Sequence, residues 1–495
     1  MKKLLIAFVM LVLLSGCEKF LNVNPIDKAY EEDLLTDRTG FATALAGVYE
    51  TLNTDTLYGR EMKYGFVESL VGSYNVTNEA HKYYRSYEHQ YNFEDPKKII
   101  ANIWGKLYQS INQANIILAS VDRVKDDPYY NLIKGEAVGL RAFSHFQLLK
   151  LFGPSIPDEG INAQAIPYKT SVSYTGTKFS TTTAVINLLE QDLSEARILL
   201  DKDPIRSNPR DANLNQFAYE RYNSLIDYRG IRMNYYAILA MQAMVAQWKG
   251  DMEKAGQYAE ELIAELKTSN SVRIALPSEM GQIGNTRMPM ENIFALFSNR
   301  LAALISSVYV PADATISSST SPFLFPNYSW LRNSLYNAAD HGSLNDYRLA
   351  NWFVQPNTSY PWKLSKYLFD QTRLPSDENY RPLFENKVIS LHTIYMIAAE
   401  NYAVSNPAKA LEYLNLVRNS RNITTNISMS DAMTGQRIKD LIFDEMRKEN
   451  IGEGYLFTEY KRLFRAIDRR TAVLPKREIF RLPIPDDELL YNPQN

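Results

Sequence analysis

The chain has 495 residues, of which 45% are hydrophobic and 22% are charged, close to the average of globular proteins. This composition excludes collagen-like, coiled-coil and wholly disordered chains, and the length predicts two to three domain-sized units. The net charge of -2 gives no basic bias toward nucleic acid. A single cysteine excludes an internal disulfide framework and any zinc or iron–sulfur site built on cysteines.

The first 16 residues have the pattern of a secretion signal peptide. Lys2 and Lys3 precede the apolar run 4–14, which is too short to span a membrane as a helix. The string Leu14-Ser15-Gly16-Cys17 then resembles the lipobox of bacterial lipoproteins. The resemblance implies cleavage before Cys17, whose thiol would carry a diacylglycerol and whose amine would carry an acyl chain such as palmitate. The alternative is a secreted protein with a free cysteine, which we disfavour because the chain's only cysteine stands where the lipobox needs it.

Apolar residues at helical spacing predict a mainly α-helical body. The segment 103–121 carries one apolar stripe, and the following helix, 133–152, is apolar on much of its surface. Two later helix pairs, at 235–266 and 391–417, place small residues where paired helices would meet, as in tetratricopeptide repeats. A further helix is predicted at 436–449.

Two stretches lack helical spacing but are rich in aromatic residues. Between 268 and 387, Pro, Ser and Asn interrupt the pattern, and so long a loop in a compact protein is usually functional. The segment 64–93 interleaves tyrosines with Asn, Arg and Gln. Rings that stack on the apolar face of a sugar, beside groups that bond its hydroxyls, form a matching surface. The alternative is that half or more of these tyrosines cover the core.

These two stretches supply the candidate ligand-binding residues. Trp362 is a further candidate platform, whereas Trp104 and Trp248 lie on predicted helices and are predicted to pack in the core. We expect His145 and His392, which also fall on helices, to be packing residues. The six residues that we select for ligand binding are Tyr74, Asn75, Tyr83, Tyr84, Trp330 and Trp352.

Sequence motifs of catalysis are missing. The chain has no P-loop, HExxH or GxSxG string. Asp211, Asn213 and Asn215 would permit a calcium site, although turn chemistry explains such residues in a loop equally well. We therefore expect no catalytic residue, no cofactor and no metal, with calcium left as an unsupported alternative. A carboxylate pair for glycoside hydrolysis stays open, because sequence does not fix the distance between carboxyl groups.

An ordered set of motifs runs from the lipobox to the last residues. The segment 135–154 contains GEAVGLRAF and LFGP, 391–402 contains Ala399-Glu400, and 445–462 contains EMRKE, a Glu-Gly pair and Lys461-Arg462. FLNVNP follows Cys17, and the tail contains LPIP and NP. Together these motifs resemble the SusD/RagB family of outer-membrane nutrient-uptake lipoproteins along the whole mature chain. The chain departs from the family's usual residues at Met446, Leu456, Phe457 and Glu459.

The resemblance implies a mainly α, SusD-like fold with four tetratricopeptide-like helix pairs, decorated with long irregular loops. It divides the chain into a signal peptide (1–16), a lipidated tether (17–37), an N-terminal helical region (38–267) and a C-terminal RagB/SusD region (268–495). Glu445, Arg447, Glu449 and Glu453 are then expected to form a buried or half-buried polar network rather than a catalytic site.

The resemblance also implies a function. The chain would be a non-catalytic lipoprotein on the cell surface, anchored in the outer membrane through Cys17, with no nucleic acid among its partners. It would bind a glycan nutrient and act as the lid of a SusC-like, TonB-dependent importer. A peptide-binding lid of the same architecture is the first alternative. An interaction scaffold that binds no nutrient and a surface glycosidase are the others.

Overall fold

A computed structural model describes residues 34–173, 175–207, 225–226, 228–280, 286–309, 323–337, 341–355, 357–367, 384–432 and 434–492. Helices dominate these residues, in agreement with the predicted mainly α fold. The helices are α1 (Arg38–Leu52), α2 (Phe66–Ser69), α3 (Tyr84–Tyr87), α4 (Glu94–Ser120), α5 (Tyr130–Phe152), α6 (Ile156–Glu159), α7 (Thr182–Leu199), α8 (Tyr235–Lys249), α9 (Met252–Ser269), α10 (Leu301–Ser306), α11 (Tyr328–Ser334), α12 (Tyr347–Trp352), α13 (Leu391–Ser405), α14 (Pro407–Ser420), α15 (Met429–Ala432), α16 (Gly435–Glu449), α17 (Leu456–Leu463), α18 (Arg477–Phe480) and α19 (Asp486–Tyr491).

Four helix pairs form the framework: α1 with α4, α5 with α7, α8 with α9, and α13 with α14. Each pair packs on the next, through α4 on α5, α7 on α8, and α9 on α13, and α16 then covers α13 and α14. One continuous buried cluster therefore joins the two regions predicted at 38–267 and 268–495. The close approach of α9 to α13 requires a small residue, because a Cβ on Gly256 would lie 2.2 Å from Nδ2 of Asn401.

Side-chain caps define where several of these helices begin. Asn234 accepts a hydrogen bond from the amide of Ala237 at 2.9 Å and starts α8. Asn406 accepts from the amide of Lys409 at 3.2 Å, with Pro407 in the first position of α14. Gly250, at φ 89°, ends α8 in the left-handed conformation that glycine adopts without strain. The predicted helix pairs at 235–266 and 391–417 thus have the capping signals of their sequence.

Short antiparallel strand pairs connect parts of the chain that are distant in sequence. The strands are β1 (Tyr74–Asn75), β2 (Gln164–Pro167), β3 (Phe179–Thr181), β4 (Asn292–Phe297), β5 (Phe325–Pro326), β6 (Phe353–Val354), β7 (Lys363–Leu364) and β8 (Glu385–Ser390). They pair as β1–β5, β2–β3, β4–β8 and β6–β7. In the β4–β8 pair, Asn292 lies opposite Ser390 and Phe297 opposite Glu385.

The sequence analysis missed some of this structure. It singles out no helix for α1, α7 or α17, and the stretch that it reads as irregular contains β4 to β7 and α10 to α12. The predicted tether extends to residue 37, yet Leu35 is buried, so the packed body begins before that boundary. Within the part of the chain that the structure describes, no helix is long and apolar enough to cross a membrane.

Candidate functional site

Backbone pairing brings the two predicted aromatic stretches together. Tyr74 lies opposite Pro326 in the β1–β5 pair, and Asn75 lies opposite Phe325. Just beyond this pair, the amide of Asn327 donates to the carbonyl of Ser73 at 2.9 Å. β5 also lies against β7, so the segments 73–84, 323–334 and 353–364 adjoin one another. This convergence makes them the candidate functional site.

Three of the six selected residues are buried under this surface and present almost no side-chain area to a ligand in this structure. Tyr74 is 1% exposed and its hydroxyl lies 3.0 Å from that of Tyr309. Tyr83 is 2% exposed, and its hydroxyl donates to the carboxylate of Glu61 at 2.9 Å. Their rings fill the core, and their polar tips are satisfied internally.

Trp352 is the third buried residue, with no exposed surface. Its indole N–H donates to the carbonyl of Thr286 at 2.8 Å. The ammonium of Lys366 lies 4.0 Å from the centroid of its ring, a cation–π contact. Trp352 therefore supports the candidate site from below rather than presenting a face to a ligand.

The other three selected residues reach the surface. Asn75 is exposed, whereas Tyr84 and Trp330 are half-buried. The guanidinium of Arg85 lies 5.2 Å from the ring centroid of Tyr84, and that of Arg447 lies 5.5 Å from the ring of Trp330. Asn75, Tyr84 and Trp330 thus remain predicted ligand-binding residues.

The sequence analysis missed an aromatic pair at this surface. Tyr328, the first residue of α11, stacks on Trp362 with ring centroids 3.6 Å apart and ring planes 17° apart. Both rings are half-buried, and Phe353 lies 5.5 Å from Tyr328, tilted against it. The sequence marked Trp362 as a candidate platform, but only the fold shows that Tyr328 is its partner. We call Asn75, Tyr84, Tyr328, Trp330 and Trp362 the aromatic surface.

Strand pairing and one side-chain hydrogen bond hold the hairpin that carries Trp362. The side-chain amide of Gln355 donates to the carbonyl of Tyr360 at 2.7 Å, across the loop between β6 and β7. In the same hairpin, Phe353 lies opposite Leu364 and Val354 opposite Lys363. The Trp362 ring is therefore placed before any ligand arrives, which lowers the entropy cost of binding.

Two members of the predicted C-terminal polar network, Glu445 and Glu449, lie in one set of buried ion pairs, whereas Arg447 pairs with Asp444 and Asp468. Arg348 pairs with Glu445 at 2.7 Å and with Glu449 at 2.8 Å, and Arg421 also contacts Glu449 at 2.6 Å. Burial alone would raise the pKa of Glu445, but Arg348 and its neighbouring cations lower it to about 2. These carboxylates are neutralised and enclosed, so they tie α12, α14 and α16 together.

A second buried cluster surrounds the loop after α16. Glu453 contacts three lysines: Lys63 at 2.9 Å, Lys366 at 2.6 Å and Lys387 at 3.0 Å. These lysines outweigh the burial of Glu453 and hold the pKa of its carboxyl well below the usual range. The three lysines come from distant segments: Lys63 lies just before α2, Lys366 just after β7, and Lys387 in β8. Glu453 therefore holds these three segments together. The loop around Glu453 is thus a structural junction.

The two helical histidines and the two helical tryptophans pack as predicted. His145 is fully buried, donates through Nδ1 to the carbonyl of Arg141 and accepts from the amide of Lys169, both at 3.0 Å. Burial lowers its pKa to about 3. His392 is 1% exposed, and Trp104 and Trp248 are 4% and 5% exposed.

Some predicted features lie outside the described residues. They are the signal peptide, Cys17 with most of the tether, and the possible calcium loop at Asp211, Asn213 and Asn215. Among the residues that are described, no group of three or more His, Cys, Asp or Glu side chains is placed to hold a metal ion.

Comparison with known proteins gives two kinds of similarity. Residues 19–218 match the SusD-like_3 family, described as "Starch-binding associating with outer membrane". The SusD-like protein P2 of Formosa agariphila is 26% identical over 156 residues, which are 31% of this chain and 30% of that protein. The aligned part thus spans less than a third of this curated relative.

Solved structures share the fold along nearly the whole chain. A SusD-like carbohydrate-binding protein from Bacteroides vulgatus is 19% identical, with a TM-score of 0.70 over 92% of this chain and 96% of that one. A SusD superfamily protein from Bacteroides thetaiotaomicron is 20% identical, with a TM-score of 0.67 over 92% and 98%. The family match thus covers residues 19–218, and the solved structures, at 19–20% identity, show that the chain has the SusD-like fold along nearly its whole length.

Proposed function

We propose that the chain is a cell-surface lipoprotein that binds an oligosaccharide nutrient at the aromatic surface, without altering it. The observation that carries this proposal is the half-buried stack of Tyr328 on Trp362, on a surface that also includes the exposed Asn75. A sugar offers apolar C–H faces to such rings and hydroxyls to such an amide.

Three further points support the proposal. The family that matches residues 19–218 is described as starch-binding and associated with the outer membrane. The N-terminal sequence ending in Cys17 has the pattern of a lipoprotein signal. The charged groups of the C-terminal motif are consumed in buried ion pairs, so they stabilise the fold and are not offered to a substrate.

We further propose that the chain acts as the lid of a SusC-like, TonB-dependent transporter in the outer membrane. This step rests on the family resemblance and on the predicted anchor, which would hold the body beside a membrane partner. A lid needs a binding surface, an anchor and a large contact area, and it needs no nucleophile.

A binding screen tests the proposed function. Residues 18–495, which include every residue that the structure describes, are titrated with libraries of oligosaccharides and of peptides, and the recovered ligands are analysed for cleavage. We expect micromolar or tighter binding of an intact oligosaccharide. Binding of peptides alone would assign the peptide-binding alternative, and released sugar products would assign a glycosidase. Binding of neither class, with retained binding of the transporter, would leave the scaffold.

A further inference from the structure

A second groove lies between α4, the loop residues 167–173 and 175–177, and α19. Its volume is about 810 Å³, within the range of ligand sites in proteins. Trp104 and Tyr108 line it from α4, Val172 from the loop, and Tyr491 and Asn492 from the end of the described chain. It shares no residue with the aromatic surface, and the proposed function does not involve it.

Hydrogen bonds hold the walls of this groove in place. The indole N–H of Trp104 donates to one carboxylate oxygen of Glu488 at 3.2 Å. The side-chain amide of Asn492 donates to the other oxygen at 2.7 Å and to the carbonyl of Thr177 at 2.8 Å. A Cβ on Gly176 would lie 2.3 Å from Oδ1 of Asn492, so loop and helix are in close contact. The groove is thus formed without a ligand.

The two charged side chains among the described lining residues, Glu488 and Lys169, already make hydrogen bonds within the protein. Both carboxylate oxygens of Glu488 accept hydrogen bonds from the groove's own walls. The ammonium of Lys169 donates to the carbonyl of Ser173 at 3.1 Å. No other charged side chain lines the groove among the described residues. The lining therefore favours an uncharged ligand, because a charged one would find no unsatisfied partner of opposite sign.

Apolar surface and neutral hydrogen-bonding groups remain free. Tyr491 is 79% exposed and Val172 is 41% exposed, and both are among the large apolar side chains that the described chain leaves open to solvent. Asn112 is exposed on α4, and its side-chain amide makes no hydrogen bond to any described residue. A free ring, a free amide and neutral walls are the groups that bind a sugar through its C–H faces and its hydroxyls.

We propose that the groove between α4, the loop residues 167–173 and 175–177, and α19 is a second carbohydrate-binding site, which takes an uncharged oligosaccharide. The proposal takes only the class of ligand from the proposed function, and its residues and geometry are independent of the aromatic surface. Tyr491 supplies the stacking platform, and Asn112 supplies a polar contact from the α4 wall of the groove. A nutrient-binding protein with two such sites would hold a long glycan chain at two points, which raises its overall affinity.

The test compares variants of residues 18–495. Uncharged malto-, cello- and xylo-oligosaccharides are titrated calorimetrically, with oligogalacturonate as the charged probe. The variants are Trp362→Ala, which weakens the aromatic surface, and Tyr491→Ala and Asn112→Ala, which weaken the groove. Leu490→Ala is the matched control, because Leu490 is 67% exposed on the same helix and does not line the groove.

We expect two binding sites in the parent chain, of which the aromatic surface binds about 5- to 100-fold more weakly in Trp362→Ala. The affinity of the groove in Trp362→Ala should fall by about 5- to 100-fold when Tyr491→Ala is added, the size that loss of one stacked ring brings in nucleic-acid binders. Leu490→Ala should bind as the parent does.

Three outcomes would overturn the proposal in distinguishable ways. Loss of all saccharide binding in Trp362→Ala would remove the second site and leave the proposed function standing. Binding of oligogalacturonate or a peptide at the groove would overturn the uncharged-saccharide assignment alone. A parent chain that binds no saccharide of the panel would overturn the groove and the proposed function together.

Discussion

The indole of Trp362 lies flat on the phenol ring of Tyr328, with 3.6 Å between the ring centroids. The two residues come from different elements, the β6–β7 hairpin and the first turn of α11. Each ring fixes the orientation of the other while part of both stays exposed. Such a pair is a rigid platform, because neither side chain has to be ordered when a ligand binds.

Removing this platform should weaken ligand binding without unfolding the protein. For Trp362→Ala and Tyr328→Ala we expect a loss of about 1–3 kcal/mol in the free energy of oligosaccharide binding, taking base–aromatic stacking as the analogue. Calorimetric titration of each variant with a glycan found in the screen measures this loss. Leu474→Ala, at a residue that is 68% exposed elsewhere on the surface, is the control. If both variants bound the oligosaccharide as tightly as the parent chain, the aromatic surface would not be the binding site.

Trp352 should behave in the opposite way. Its ring is fully buried and its indole N–H donates to Thr286, so Trp352→Ala leaves a cavity and an unpaired carbonyl. We expect a loss of about 3–5 kcal/mol in the free energy of unfolding, measured by urea denaturation. Trp352→Phe should cost less, because it keeps most of the apolar volume. If Trp352→Ala kept the parent's free energy of unfolding but lost ligand binding, Trp352 would be a ligand-binding residue after all.

The loop after α16 should not tolerate a side chain at Gly454. Its φ is 66°, and a Cβ there would lie 2.1 Å from the carbonyl oxygen of Met62. Its amide also donates to Glu68 at 2.8 Å. We expect Gly454→Ala to lower the free energy of unfolding by about 2–5 kcal/mol.

The matched glycine variant should have the opposite sign. Gly47 lies inside α1, and a Cβ there would meet no atom within 4 Å. Gly47→Ala should therefore stabilise the chain by about 0.5–1 kcal/mol, because alanine loses less backbone entropy in a helix. Denaturation curves that show equal effects for the two variants would contradict the role given to the Gly454 loop.

Acid should destabilise the protein well before its carboxylates are fully protonated. The pKa of His145 is lowered by burial to about 3, so below pH 6.5 the unfolded chain gains a proton that the folded chain does not. The pKa of Glu445 is lowered to about 2 by Arg348 and its neighbours, despite burial, so its stabilisation is lost as the pH falls from about 4.5 to about 2. Both effects have the same sign.

The contribution of His145 to the unfolding free energy should therefore fall by about 2–4 kcal/mol between pH 7 and pH 4, whereas Glu68, whose pKa burial raises to about 8, acts in the opposite direction. The His145 contribution is measured as the difference between the parent chain and His145→Gln in urea denaturation at each pH. In His145→Gln, which has no titrating group at this position, the slope between pH 6.5 and 4 should become shallower. Equal slopes in the parent chain and in His145→Gln would contradict the assignment of His145 as a buried neutral residue.

Membrane anchoring should depend on the sulfur atom of Cys17. If the predicted lipobox is used, Cys17→Ala leaves no thiol for the diacylglycerol, and the protein should move from the membrane fraction to the soluble fraction of the cell envelope. Radiolabelled palmitate should enter the parent chain and not this variant. Several acyl chains on one residue would anchor firmly, since each buried CH₂ contributes about 0.8 kcal/mol. Label that persists in Cys17→Ala would place the lipid elsewhere.

Long helices with a regular apolar stripe could be predicted from the sequence alone. The stripes at 103–121 and 391–417 correspond to α4 and to α13 with α14, and the Asn406-Pro407 start of α14 is in its predicted place. The period of 3.6 residues decides which face of a helix is buried, so it is visible wherever the helix is long enough. The buried histidines and tryptophans of these helices follow from the same pattern.

In the irregular stretches, the exposure of each aromatic side chain could not be predicted from the local sequence. Tyr74 and Tyr84 occur in the same tyrosine-rich segment, and Trp352 and Trp362 are separated by one hairpin, yet in each pair the first is buried and the second is half-exposed. No local period distinguishes them, because their burial depends on contacts with residues far along the chain. Tyr74 contacts Tyr309, and Trp352 contacts Thr286.

Composition, the apolar period and the ordered motifs thus determined the mainly α fold, its paired helices and the buried character of its C-terminal charges. Only the tertiary structure decided which rings form the aromatic surface, and that the end of the chain closes a groove over α4. The physical reason is that helical periodicity encodes burial within one element. A binding surface is assembled across elements, by strand pairs such as β1–β5 and by side-chain hydrogen bonds such as that of Trp104 to Glu488.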